Sequence, residues 1–364
     1  MTPKKIAILG GGNGGHTMAA DFTVKGHTVN FYEMPQYKDK MKKVFETQTI
    51  EMTGLFEKPG PVKLNMVTDD IEKAIEGCRY IVIVTPAFAH AGYAQLLKGK
   101  VKKDQIIVVF PGAFAALQLR KVFGEKDCPV IADVNNLPYD TRLKGEGRVE
   151  FYGRNDVNIG FMPASAGPAL IDEMREDLFP FVKVYNDVLE SGLSIVNPAW
   201  HTGPCLLSVT SIEHHLFNFF VYEHGWTPSA CKVNIVLDQE RKAVGKELGY
   251  HLTPMEDFSG MPVGFNWKQL YAAGHGAISL TPICGPNSIW DRYLTEDCPF
   301  GLVPWAAVGE ILGVSMPTTN SCIDIYNIIH EKDWRKEGLT AEDLGIAGMN
   351  KEQLIKYVRE GVRD

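Results

Sequence analysis

Near the N-terminus, Gly10-Gly11-Gly12-Asn13-Gly14-Gly15 satisfies the spacing G-x-G-x-x-G through Gly10, Gly12 and Gly15. Each glycine is there for a physical reason. Gly10 permits a tight turn, Gly12 lets backbone approach a pyrophosphate, and Gly15 lets a helix pack closely on the preceding strand. Asn13 and Gly14 complete the turn. The phosphates then sit on a helix N-terminus, where unpaired N–H groups and the helix dipole favour negative charge. Glu33 follows roughly twenty residues on, where a carboxylate accepts hydrogen bonds from ribose hydroxyls and repels a 2′-phosphate. The pattern predicts a dinucleotide site for NAD in preference to NADP, although Lys38, Lys40, Lys42 and Lys43 offer charge that an NADP phosphate could use. Thr85-Pro86-Ala87 and Phe110-Pro111-Gly112 each follow an apolar strand, and both loops are expected on the nicotinamide side.

Other reactive side chains are less informative alone. Glu213-His214-His215 suggests a metal, but adjacent histidines leave a helix in different directions and no H-E-x-x-H spacing completes a site, so no metal is expected. Seven cysteines lie scattered without a C-x-x-C pair, as expected of reduced thiols.

The elements that must position these residues fall into two textures. Apolar, β-rich runs at Ile6-Leu9, Thr28-Tyr32, Tyr80-Val84, Ile106-Phe110, Val130-Ala132 and Val157-Phe161 alternate with helical stretches such as Gly14 to Lys25 and Ala89 to Leu97. That order predicts an α/β Rossmann domain with a doubly wound parallel sheet over residues 1–190. Residues 191–364 read as an all-α domain, with helices over Leu206 to Tyr222, Ala230 to Leu248, Trp267 to Gly274, Pro304 to Leu312 and Thr319 to His330. Thr340 with Asp343 has the form of a capping box, and Asn350 is placed to cap a last helix.

The chain has 364 residues, with 45% hydrophobic and 22% charged residues, which suits two globular domains. A net charge of −7 argues against nucleic acid, which selects basic surfaces. The longest apolar runs are too short to span a bilayer, and the N-terminus reads as a strand and turn instead of a secretion signal, so a cytoplasmic location is expected. An exposed aromatic helix around Phe217, Phe219 and Phe220 would make a homodimer reasonable, with core packing as the alternative.

Several segments in register over nearly the whole chain resemble the octopine/nopaline (opine) dehydrogenase family, including bacterial N-(1-carboxyethyl) amino acid dehydrogenases. They are the Gly10 to His16 turn, Leu137-Pro138-Tyr139 with Arg142, Asn197 with His201, Asp238 with Glu240-Arg241, and Arg292 to Asp297 running on into Gly301-Leu302-Val303-Pro304. The segment from His214 to Trp226 does not follow the resemblance.

The resemblance implies reductive condensation of an amino acid with a 2-oxo acid, commonly pyruvate, using NAD(P)H. It also implies that His201 and Asp297 are a catalytic pair and that Asn197 lies near the substrate. Substrates bearing carboxylates ask for guanidinium groups, and Arg142, Arg241 and Arg292 are the candidates, with Tyr139 a weaker one and Tyr293 likewise. A histidine, with an ordinary pKa near 6.5, can trade protons near neutrality.

Two other readings stay open on sequence. The same two-domain plan serves dehydrogenases of hydroxy acids, polyol phosphates or ketopantoate-like substrates, although these commonly use a lysine acid and Ile195 to His201 has none. A non-catalytic nicotinamide-binding regulator would keep the glycine turn and lose the acid.

Overall fold

A computed structural model describes residues 2–126, 128–214, 218–253, 255, 266–275 and 283–363. The chain divides into two compact units, residues 1–192 with 356–364, and residues 193–355. The C-terminal end of the chain thus returns to the first unit.

The first unit is built on a seven-stranded sheet. Its strands are β1 (Lys5–Leu9), β2 (Thr28–Tyr32), β5 (Met66–Thr68), β6 (Tyr80–Ile83), β7 (Ile106–Val109), β8 (Val130–Val134) and β11 (Ile159–Met162), in the order β11-β8-β7-β6-β1-β2-β5. Ile6, Ile8, Phe31, Val82, Val108 and Phe161 are almost wholly buried, as expected where both faces of a sheet are covered. The helices Asn13–Val24 and His90–Leu97 fall on the expected stretches.

Two features depart from an all-parallel sheet. Strand β11 runs antiparallel to β8, because the chain between them makes no helical crossover. It forms instead β9 (Tyr139–Leu143) and β10 (Arg148–Arg154), which join β3 (Thr49–Gly54) and β4 (Gly60–Lys63) in a second sheet of order β4-β3-β10-β9. The pairing of β3 with β10 brings together segments far apart in the chain, a non-local contact that hydropathy patterns do not encode.

The second unit is helical among its described residues, apart from isolated bridges at Phe220. Helices Pro228–Glu247, Trp267–Gly274, Val303–Ile311 and Pro317–His330 lie close to their expected positions. The capping boxes at Thr340 and Asn350 are formed, each side chain accepting the N–H three residues on. The expected helix from Leu206 to Tyr222 is corrected: one helix, Asn197–Leu207, ends there, a short one covers Val209–His214, and a π-helical turn covers Val221–Gly225. His215 and Phe217 lie outside the described residues, whereas Phe219 is buried and Phe220 half-buried.

Candidate active site

The glycine turn does what its spacing demands. Gly10 has φ +110°, which favours glycine, and a Cβ on Gly15 would lie 1.8 Å from the Gly10 carbonyl oxygen. Around Gly12 there is open space, with no atom within 4 Å of where a Cβ would stand, and no side chain caps the helix that begins at Asn13. Glu33 is buried at the end of β2 and accepts the N–H groups of Gly11 and Met34, both at 2.7 Å. Gly11, which the motif leaves unspecified, is needed for this: a Cβ there would strike Met41 Sδ at 2.0 Å and Glu33 Oε2 at 2.7 Å.

Thr85 follows β6 with its methyl against Gly10 and its hydroxyl buried without a partner among the described residues. An open cradle at Gly12, an uncapped helix N-terminus and an orphaned threonine hydroxyl fit a dinucleotide, which would supply acceptors to all of them. Pro86 lies half-buried beside Thr85. Asn13 is exposed at the start of this helix, its side-chain oxygen accepting the Leu143 N–H at 2.9 Å. Lys38 is engaged by Asp69 at 2.7 Å.

In the helical unit, His201 sits on a helix with an internal proline. Pro204 has no N–H to give the Trp200 carbonyl, a loss that normally kinks or breaks a helix. Asn234, wholly buried on the helix Pro228–Glu247, repairs it: its amide donates to the Trp200 carbonyl at 2.8 Å and its oxygen accepts the Gly203 N–H at 3.0 Å. A Cβ on Gly203 would lie 2.4 Å from that oxygen, so glycine there allows the close approach. His201 is thereby fixed on a helix clamped on both sides of the break.

The imidazole is bonded at both nitrogens. Nδ1 lies 2.6 Å from Asp297 Oδ2 and Nε2 lies 2.9 Å from the Tyr222 hydroxyl. The Tyr293 ring meets it edge-on, with centroids 4.6 Å apart and planes at 90°. His201, Asp297 and Tyr222 are all buried. Asp297 stands just before a π-helical turn, Cys298–Leu302, as Tyr222 stands within another; such turns frequently mark functional sites. Burial first, with Tyr293 and Asp297 adding, pushes the Tyr222 phenol well above its ordinary range. A carboxylate against Nδ1 holds the proton there and leaves Nε2 as the working nitrogen, the arrangement that general acid–base catalysis requires.

Of the remaining expected residues, Asn197 is exposed one turn before His201, and Arg292 is exposed, its side chain making no hydrogen bond or ion pair among the described residues. Two others are corrected. Arg241 is wholly buried, bonded to Asp238 and to the Leu193 and Thr253 carbonyls, so no substrate can reach it. Tyr139 is buried in the first unit, its hydroxyl donating to Asp21 at 2.7 Å beside Arg154. Arg142 is exposed on β9, donating to the Thr141 carbonyl at 2.8 Å. Among the described residues no cluster of three metal-ligating side chains exists, and no helix is long and apolar enough to cross a membrane.

Sequence reasoning missed Tyr222 and Asn234. A helical proline four residues after Trp200 signals that some donor must substitute, but not which. Tyr222 carried no signal, because its segment read as the tail of a helix.

A Rossmann unit with an NAD cradle, followed by a helical unit carrying a buried His–Asp pair, defines an NAD-dependent oxidoreductase. Residues 5–118 match the family model for the NAD-dependent glycerol-3-phosphate dehydrogenase N-terminus, and residues 184–330 match that for the NAD/NADP octopine/nopaline dehydrogenase alpha-helical domain. The opine dehydrogenase of Arthrobacter sp. (strain 1C) is 29% identical over 352 residues, covering 95% of this chain and 96% of that protein. Vitopine synthase of Allorhizobium ampelinum is 25% identical over 96% of this chain and 98% of its own length. In fold, the chain is similar to an octopine dehydrogenase solved with NADH and agmatine, with a TM-score of 0.77 at 20% identity over 99% of both chains. The chain is thus similar to the opine dehydrogenases along nearly its whole length, and it is an oxidoreductase acting on CH–NH bonds.

Proposed function

We propose that this enzyme condenses an amino acid with a 2-oxo acid, pyruvate in the first instance, and reduces the resulting imine to an N-(carboxyalkyl) amino acid, with His201 as the acid. The buried His201–Asp297 pair carries this reading. Protonated His201 gives up the proton on its Nε2 side, which lets the carbinolamine oxygen leave as water. Asp297 keeps the other proton on Nδ1 and so fixes ring and tautomer. Bound NADH supplies the hydride that reduces the imine carbon. In the reverse direction neutral His201 takes the proton back. Gly12, the helix N-terminus at Asn13, Glu33 and Thr85 would hold the dinucleotide. The Arg292 side chain, exposed and unpaired among the described residues, is a suitable carboxylate anchor, with Asn197 as a further polar group of the same unit; Arg142 is a separate candidate on the first unit.

The test is a matrix of pyruvate, oxaloacetate and 2-oxoglutarate against common amino acids, read by NADH absorbance. Oxidation should require both partners, and turnover with the 2-oxo acid alone refutes the reading in favour of a hydroxy-acid dehydrogenase. His201→Ala should lower kcat by about 10²–10⁴-fold while NADH still binds. Seven free cysteines suit a reducing cytoplasm. Exposed Ile325 and Ile328 on one helix support a homodimer, which sedimentation would test.

A further inference from the structure

We propose that the Tyr222 hydroxyl is a catalytic proton relay, standing between His201 Nε2 and the substrate atom that receives the proton. The inference rests on the reading of His201 as the acid. Three observations carry it. The first is position: with Nδ1 bonded to Asp297 and the Tyr293 ring set edge-on against the imidazole, Nε2 is the nitrogen left for proton traffic, and Tyr222 Oη occupies it at 2.9 Å. A hydroxyl has one donor and two acceptor sites, so one bond to Nε2 leaves capacity for a substrate. Tyr222 has no other hydrogen bond among the described residues.

The second is that the phenol is held in place. Its ring lies against Trp226, with centroids 5.8 Å apart, and Trp226 stacks on Trp200 at 4.6 Å, one residue before His201. Val221 donates to the Gly285 carbonyl and the Phe220 N–H to His224 Nδ1, which pins the π-helical turn at its start. The hydroxyl is therefore preorganised at the imidazole.

The third is that the phenol resists ionisation, because burial disfavours the phenolate. A group at this place that cannot hold negative charge does not act as a base in its own right; it passes protons in one concerted movement. The Nε2–H bond breaks as a new Oη–H bond forms, and the original Oη–H proton moves to the carbinolamine oxygen, which leaves as water. Imidazolium becomes imidazole, the substrate gains one proton, and Tyr222 begins and ends neutral.

The experiment compares the parent enzyme, Tyr222→Phe and His201→Ala with pyruvate and the amino acid that the matrix identifies. Tyr222→Phe should lower kcat by about 100-fold with both KM values within threefold, since phenylalanine keeps the ring and its packing. In mixtures of H2O and D2O, the parent's kcat should fall along a curve, two protons being in flight, and that of Tyr222→Phe along a straight line. Replacement of Tyr222 by 3-fluorotyrosine, which keeps the hydroxyl, should retain kcat within tenfold. A Tyr222→Phe enzyme with kcat within threefold of the parent, or with its loss confined to KM, overturns the relay. So does a straight line for the parent, or a 3-fluorotyrosine enzyme as slow as Tyr222→Phe. Full activity in His201→Ala refutes the acid itself, a failure distinct from that of Tyr222.

Discussion

Replacement of Asp297 by Asn tests the site at its least replaceable contact. The change removes one charge and keeps the shape, so packing is preserved and the electrostatic contribution is isolated. The contact is 2.6 Å long and buried at both ends. A hydrogen bond to a charged group contributes about 1.5–3 kcal/mol, equivalent to roughly 10- to 150-fold in rate if realised only when the imidazole is charged. The larger effect is the tautomer. An amide can turn its NH2 toward Nδ1, which then accepts, and the neutral ring carries its proton on Nε2, unable to take one back. The same substitution in a serine-protease triad costs about 10⁴-fold, so kcat should fall by about 10²- to 10⁴-fold here. The assay is NADH oxidation with both substrates saturating, together with NADH affinity by fluorescence titration and Tm. Affinity should change by less than about twofold, because the Rossmann unit is untouched. A kcat within threefold of the parent, with His201→Ala inactive, refutes the claim that Asp297 controls the imidazole.

Asn234→Ala should strand the Trp200 carbonyl and the Gly203 N–H at the proline break, costing roughly 2–5 kcal/mol and lowering the Tm of thermal unfolding by roughly 5–15 °C. Asn234→Asp, which keeps the acceptor for Gly203 but sets a buried carboxylate oxygen against the Trp200 carbonyl, should also lower the Tm, and a Tm equal to the parent's in both variants would refute the repair. Asp133 is wholly buried on β8 with its carboxyl accepting the Ala116 N–H, and burial pushes its pKa up to about 7. A raised folded-state pKa means that its stabilising contribution is complete below the unfolded value of 3.8 and lost as pH rises through about 7. The unfolding free energy of the parent, measured in urea, should therefore decline relative to that of Asp133→Asn between pH 4 and 7, by up to about 1.4 kcal/mol per pH unit. Parallel pH profiles would refute this.

The glycine turn was legible in the sequence because its physics is local. Gly10, Gly12 and Gly15 act within a single turn, Glu33 ends the next strand, and each apolar run gives a strand that burial requires. The capping boxes at Thr340 and Asn350 were legible for the same reason, since donor and acceptor are three residues apart. The pairing of His201 with Asp297 was available only through resemblance, as 96 residues separate them and no periodicity couples them.

Residue type also says nothing about whether a polar group is already satisfied. Arg241 and Tyr139 have the chemistry of substrate ligands, yet both are spent on the fold, whereas the exposed Arg292 side chain has no partner among the described residues. Tertiary structure alone brought Tyr222 to Nε2 and Asn234 to the break beside Pro204. The sequence by itself determined the elements and the glycine turn, where a few neighbouring residues suffice. Only the tertiary structure decided which side chains meet, because contacts across the chain depend on how whole helices pack.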